Sequence, residues 1–177
     1  RIALTPEAVG VMVANGHRVV METKAGEGAS YNDMDYSDAG AKIAYDKKEV
    51  FDCDVMVKSA PVSESECELL KPNQYIISPI HLAVMKREIL QKMMDKRITA
   101  LSFENLKDDT GNNPIVRSMS EIAGSAVVLI AGQYLSKANN GKGVLVGGIS
   151  GIPHTQVIII GAGVVGEYAA RTALAMG

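Results

Sequence analysis

A chain of 177 residues has room for one full domain and part of a second. Hydrophobic residues make up 47% and charged residues 21%, an ordinary globular composition. The net charge of -2 gives no electrostatic basis for a nucleic acid or anionic membrane partner, so the ligand has to be read from sites. Cys53 and Cys67 fall at no metal-ligand spacing and read as two reduced, buried thiols. With no signal peptide and no apolar run near the roughly 20 residues that span a bilayer, a soluble cytoplasmic enzyme is the default expectation.

Thr5-Pro6-Glu7 supplies an N-cap, a proline at the first helical position and an early acidic residue. The apolar stripe Ala8, Val9, Met12 and Val13 then predicts a helix ending at Asn15-Gly16. Residues 18–22 read as a strand, 26–28 as a loop, and Tyr31-Asn32-Asp33 as a short helix start. Residues 55–58, 75–78 and 98–103 are short apolar runs of the kind that form interior parallel strands, the first ended by Pro61. A charged amphipathic helix near 85–96 separates the last two. This alternation predicts an α/β fold with a Rossmann-like, doubly wound parallel sheet. After the turn-rich residues 107–114, a long apolar helix is expected over about 120–136, with Ser120 at its N-cap and Glu121 in its first turn. The domain boundary is placed there, giving domains of 1–118 and 119–177. Two glycine-rich connections, 139–143 and 147–153, follow.

Residues 157–160, Val-Ile-Ile-Ile, run into Gly161-Ala162-Gly163-Val164-Val165-Gly166 and an Ala-rich segment. A buried strand, a glycine turn and a helix start are the parts of a dinucleotide-binding fingerprint. Gly161 permits the tight turn, Gly163 lets the backbone approach a pyrophosphate, and Gly166 lets helix and strand pack closely. The acidic ribose acceptor belongs about 20 residues further on. The chain ends at Gly177 and starts on Arg1, so it reads as a piece of a longer enzyme that holds only the start of the nucleotide domain.

Four separated motifs stand in one order: Arg1-Ile2-Ala3-Leu4-Thr5-Pro6, Ser118-Met119-Ser120-Glu121-Ile122-Ala123-Gly124, Gly147-Gly148-Ile149-Ser150-Gly151-Ile152-Pro153, and the GxGxxG. Together they resemble the alanine dehydrogenase and pyridine nucleotide transhydrogenase family over essentially the whole chain. The Met-Ser-Glu-Ile-Ala-Gly form and Ile80-His81-Leu82-Ala83 look like alanine dehydrogenase; the alternatives are a transhydrogenase alpha subunit and a non-catalytic, nucleotide-responsive homologue. The resemblance implies a substrate domain lacking its first strand, a truncated NAD domain, and a site in the cleft between them. It implies NAD as cofactor, a small amino or oxo acid as substrate, and a homo-oligomer, usually a hexamer.

Residue by residue, the resemblance makes His81 the catalytic histidine, suited to donate a proton to a carbonyl oxygen and take it back. Arg1 matches the arginine that clamps the substrate carboxylate. Lys58 matches the first lysine of a family Lys-x-Lys-x-Pro, where this chain has Lys58-Ser59-Ala60-Pro61, so Ala60 stands in the place of the second, the lysine that in the family holds the substrate carboxylate and assists proton transfer. Lys58 is expected to bind substrate and to assist catalysis; the alternative is a lysine flanking the strand end. Met119 is expected to line the substrate. Ser120, with Gly161, Gly163 and Gly166, is expected to bind the cofactor. Glu104 is a weaker candidate, equally suited to capping. His17 and His154 carry no such match, and no metal is expected.

Overall fold

A computed structural model describes residues 2–177, so the expectations placed on Arg1 lie outside the described residues. The chain divides into two compact units, one ending at Glu104 and the other spanning Asn105–Gly177.

The first unit alternates strands and helices as its sequence predicts. Helix α1 (Pro6–Ala14) starts at Pro6, and the Thr5 hydroxyl accepts from the Ala8 N–H. Strands β1 (Val20–Glu22) and β2 (Lys42–Ala44) pair in parallel. Between them, α2 (Asp33–Asp38) opens with a reciprocal capping box of Asn32 and Asp35. Val9, Tyr36 and Ala41 form the core here, and the Tyr36 hydroxyl donates to the Leu4 carbonyl at 2.9 Å. The short helix α3 (Lys47–Phe51), capped by Asp46, leads to a second sheet.

That sheet has the order β3 (Val55–Val57), β4 (Tyr75–Ser78), β5 (Thr99–Ser102), all parallel. Helices α4 (Glu64–Leu69) and α5 (Arg87–Asp95) are the crossovers. Parallel pairing aligns Val55, Tyr75 and Thr99, so Met56, Ile76 and Ala100 share one face. Met56 and Ile76 bury there against Phe51, Val62, Cys67, Leu70, Ile89 and Met93. The opposite face is more open: Val55, Tyr75 and Leu101 are each about half exposed, so these strands are buried on one side only. Buried Gln74 donates to the carbonyls of Phe51 (3.0 Å) and Cys53 (2.7 Å), tying the start of β4 to the chain before β3. The Lys96 ammonium accepts no bond but donates to three carbonyls at the end of α4, those of Cys67, Glu68 and Leu70.

Among the described residues the two sheets do not join. In parallel ladders alternate residues bond to opposite sides. Val19 and Thr23 bond to β2, and Asp54 and Lys58 to β4, so the backbone of Val20, Glu22, Val55 and Val57 points away from those partners. These free edges of β1 and β3 both line one cavity of about 800 Å³.

In the second unit, α6 spans Pro114–Leu135, six residues earlier than the sequence reading placed its start. Pro114 has no N–H to leave unsatisfied and its fixed φ suits the first helical turn, so Asn113-Pro114 begins the helix. Ser120 therefore lies inside α6 and is not its cap. Helix α6 is also long and apolar enough, by length and average composition alone, to cross a bilayer, although it holds no uninterrupted apolar run of that length. Arg117, Glu121 and Gln133 interrupt the sequence, so no single apolar run betrays the average.

The expected strand 157–160 forms no regular element and pairs with no strand among the described residues. Ile158 and Ile160 are 87% and 98% exposed, so the expectation of a buried strand is also corrected. An apolar run becomes a buried strand only when a neighbouring ladder and a covering layer meet it, and this unit supplies neither. What orders the second unit is the packing of α6 on α7 (Val164–Ala175), around Val128, Val146 and Ala169. At Gly124 a Cβ would stand 2.4 Å from the Val165 carbonyl oxygen and 2.7 Å from Tyr168 Cβ. Gly124→Ala is expected to push the helices apart and to destabilise this unit by about 1–3 kcal/mol. Thermal unfolding followed by helix circular dichroism measures this, and an unchanged midpoint would refute the close approach.

Candidate functional site

Register fixes the site in the first unit. Because β3, β4 and β5 run parallel, the residues that follow them emerge along one edge: Lys58 after β3, Pro79-Ile80-His81 after β4, and Phe103-Glu104 after β5. Open α/β sheets place ligands at this C-terminal edge.

His81 sits here in a left-handed conformation with φ of 49°. Histidine visits that region more readily than most residues, but it needs support. The support is Glu104: one carboxylate oxygen, Oε1, accepts from the backbone N–H groups of both Ile80 and His81, each at 2.8 Å. Burial works against the charge of Glu104, but bonds from the His81 N–H, the Ser102 hydroxyl and the N–H groups of Glu104 and Ile80 hold its carboxyl at about 2. The His81 ring is 53% exposed, and its Nδ1 lies 3.8 Å from Glu104 Oε1, beyond hydrogen-bond reach and at ion-pair distance when the ring is protonated. Glu104, ranked low in the sequence, is thus the residue that shapes the His81 turn.

Lys58 ends the β3 ladder with its N–H on the Ile77 carbonyl at 2.9 Å. Its side chain is 19% exposed, lines the 800 Å³ cavity with Ser59 and Ala60, and pairs with Glu66 at 2.5 Å. Glu66 was not singled out by the sequence reading, although Ser63-Glu64-Ser65-Glu66 has the S-x-x-E form of a capping box, and the structure closes that box at the start of α4. Burial again opposes the charge, and Lys58, Ser63 and Lys47 outweigh it, holding the Glu66 carboxyl at about 2. His81 lines neither this cavity nor the one in the second unit.

In the second unit the glycine turn is built as its sequence predicts. Gly161 has φ of 115°, and a Cβ on Gly166 would lie 2.1 Å from the Gly161 carbonyl oxygen, so the turn folds tightly onto the helix start. A Cβ on Gly163 would meet nothing within 4 Å, which leaves the backbone open where a phosphate would approach. Ser120, Gly161, Gly163 and Gly166 line one cavity of about 680 Å³; Met119 does not. His17 lines the first cavity, while His154 is exposed, with Nδ1 3.1 Å from the Gly177 carbonyl oxygen. Cys53 is half-buried rather than buried; it and Cys67 are unpaired thiols, both pushed up by burial and so poorly reactive. No cluster of metal-ligating side chains occurs among the described residues.

Two consequences are measurable. Glu104→Ala is expected to speed amide exchange at residues 80 and 81 by about 10- to 100-fold, since hydrogen bonds to a charged acceptor contribute roughly 1.5–3 kcal/mol; exchange at wild-type rates would remove Glu104 from this role. The depressed carboxyls of Glu66 and Glu104 contribute stability that is fully present above their ordinary value of 4.5 and is lost as pH falls through it toward 2. Urea unfolding of the chain is expected to show a plateau from pH 7 to 5 and a fall of roughly 2 kcal/mol or more below it. The fall is expected to shrink in Glu66→Gln.

Comparison with known proteins adds the following. The family model for the alanine dehydrogenase/PNT N-terminal domain matches residues 1–123, and that for the C-terminal domain matches residues 127–177. An alanine dehydrogenase of Methanococcus maripaludis is 39% identical over all of this chain and 48% of its own length. Alanine dehydrogenase 2 of Staphylococcus aureus is 34% identical, again over the whole chain and 47% of its own length. The chain thus spans about half the length of the relatives it matches. Among solved structures, an L-alanine dehydrogenase superposes with a TM-score of 0.93 at 34% identity over the whole chain and 49% of its own. A transhydrogenase from Sinorhizobium meliloti does so with a TM-score of 0.80 at 24% identity, over the whole chain and 50% of its own, a likeness of fold alone.

Proposed function

Since the chain belongs to the alanine dehydrogenase/PNT family, we propose that it is the N-terminal half of an NAD-dependent alanine dehydrogenase. The reaction is the oxidation of L-alanine with NAD and water to pyruvate, ammonia and NADH. The observation that carries this reading is the match of the whole chain, in sequence and fold, to proteins named alanine dehydrogenase. The transhydrogenase alternative shares the two family models and a likeness of fold, but the curated relatives at 34–39% identity carry the name alanine dehydrogenase.

In this reading Lys58, and Arg1 beyond the described residues, hold the substrate carboxylate. His81, on the turn that Glu104 fixes, returns a proton to the carbinolamine oxygen or removes it as ammonia leaves. The half-exposed ring supports that role, because a proton shuttle needs a path to substrate and water. Gly161, Gly163 and Gly166 with the N-terminus of α7 would hold the dinucleotide phosphates, and Ser120 on the same cavity wall would donate to them. When bound, NAD supplies the hydride acceptor. Met119 keeps its proposed place beside the substrate, although it does not line the nucleotide cavity.

The cytoplasmic location, the absence of nucleic acid and membrane partners, and assembly as a homo-oligomer, by resemblance a hexamer, belong to the same proposal. Its support includes the two unpaired thiols.

The full-length protein is expected to produce NADH with L-alanine faster than with glycine or serine, and to run in reverse on pyruvate and ammonia. His81→Ala is expected to lower kcat by about 100-fold or more, the range for loss of a general acid–base; robust turnover in that variant would sink the assignment. Residues 1–177 alone carry the phosphate turn without a ribose acceptor about 20 residues beyond it, so calorimetry is expected to find NADH binding weaker than micromolar and no turnover.

A further inference from the structure

Lys58 does not stand at the cavity wall as an isolated cation. Its Cα is fixed by the last ladder bond of β3, and its ammonium by Glu66 Oε2 at 2.5 Å. Glu66 is itself held: Oε2 accepts from the Ser63 N–H at 2.8 Å, and Oε1 takes the Lys47 ammonium at 3.1 Å. The Glu66 side chain is only 9% exposed, against 46% for Lys47, so the carboxylate is the buried hub and Lys47 its outer partner. Two lysines share one carboxylate, which leaves the cluster itself a net charge of about +1; elsewhere on the cavity lining Arg18 and Lys71 stand with Glu22, Asp52 and Asp54. A carboxylate with both oxygens engaged has no freedom to turn away, and neither does the lysine bound to it. Among apolar strand residues such a cluster is a costly way to add stability, because each charge gives up water. Its distinct effect is to set one ammonium at a fixed place on a cavity wall.

We infer that Glu66 is a positioning residue that braces Lys58, so that Lys58 presents its ammonium to the carboxylate of a small amino or oxo acid. Glu66 touches no substrate and acts through Lys58. The inference rests on the reading above that Lys58 belongs to the substrate site.

The test is a double-mutant cycle in the full-length protein with K58A, E66Q and the double variant, each checked for folding by circular dichroism. E66Q is expected to raise KM for L-alanine and for pyruvate about tenfold while kcat stays within about threefold and KM for NAD within about twofold, the pattern of lost ground-state binding. In the K58A background E66Q is expected to change KM by less than about twofold, because the residue through which it acts is gone. Should E66Q fail to fold, E66D, which keeps the charge but draws the carboxylate back by one methylene, is expected to raise KM less, and again only when Lys58 is present. An E66Q effect of equal size with and without Lys58 would overturn the inference and leave the role of Lys58 standing. A K58A enzyme with unchanged KM for alanine would overturn both, and a full-length protein without amino acid turnover would overturn the functional reading itself.

Discussion

Parallel pairing in register is the constraint on which the site depends. Val55, Tyr75 and Thr99 align across three strands, so the ends of those strands are also aligned, and whatever follows each strand arrives at one edge. Nothing in the local sequences of Lys58, His81 and Glu104 brings them together; they lie far apart along the chain and share only the position one to three residues beyond a strand. Each crossover then starts from that edge. Helix α4 begins six residues after Lys58, close enough for a residue of its first turn, Glu66, to reach back to the strand end.

The two carboxylates at this edge solve the same problem in different ways. Each is shielded from solvent and each remains charged, because donors arrive in numbers that outweigh the loss of water. Glu104 takes its donors mainly from backbone N–H groups and so fixes the path of the chain, including the left-handed residue His81. Glu66 takes its donors from two lysines as well as from the Ser63 N–H, and so fixes side chains along with the start of α4. One carboxylate shapes a turn and the other places a cation, and the difference follows from what lies within reach: a facing loop for Glu104, a strand end and the next helix for Glu66.

Much of this was legible in the sequence, and the misses have physical causes. Residues 75–78 read as a strand residue for residue because Tyr75-Ile76-Ile77 is a short run of side chains that favour strands. Thr5-Pro6 marked the start of α1 because the cap and the proline act locally. Strand β2 escaped notice because Lys42-Ile43-Ala44 is too short to show a period. The start of α6 was set too late because Asn112-Asn113-Pro114 carries turn chemistry, which serves a helix start equally well. Glu66 carried a visible signal, its capping box, but a capping box says nothing of the strand end that the far side of the carboxylate will meet. That second contact exists only in three dimensions.

Residues 157–160 show which part of a fingerprint is local. Without a paired strand before it, the glycine turn still forms: Gly161 takes its positive φ, and its carbonyl oxygen closes on Gly166 at a distance no side chain would allow. Helix α7 is held in place by α6, through Gly124 against Val165 and Tyr168, rather than by a sheet beneath it. The geometry of the phosphate turn is therefore set by close backbone contacts within about fifty residues of chain, while the strand that introduces it depends on neighbours for its ladder and its cover. A glycine motif can be read from sequence with more assurance than the strand beside it, since sterics act wherever the chain goes and burial acts only where something else arrives.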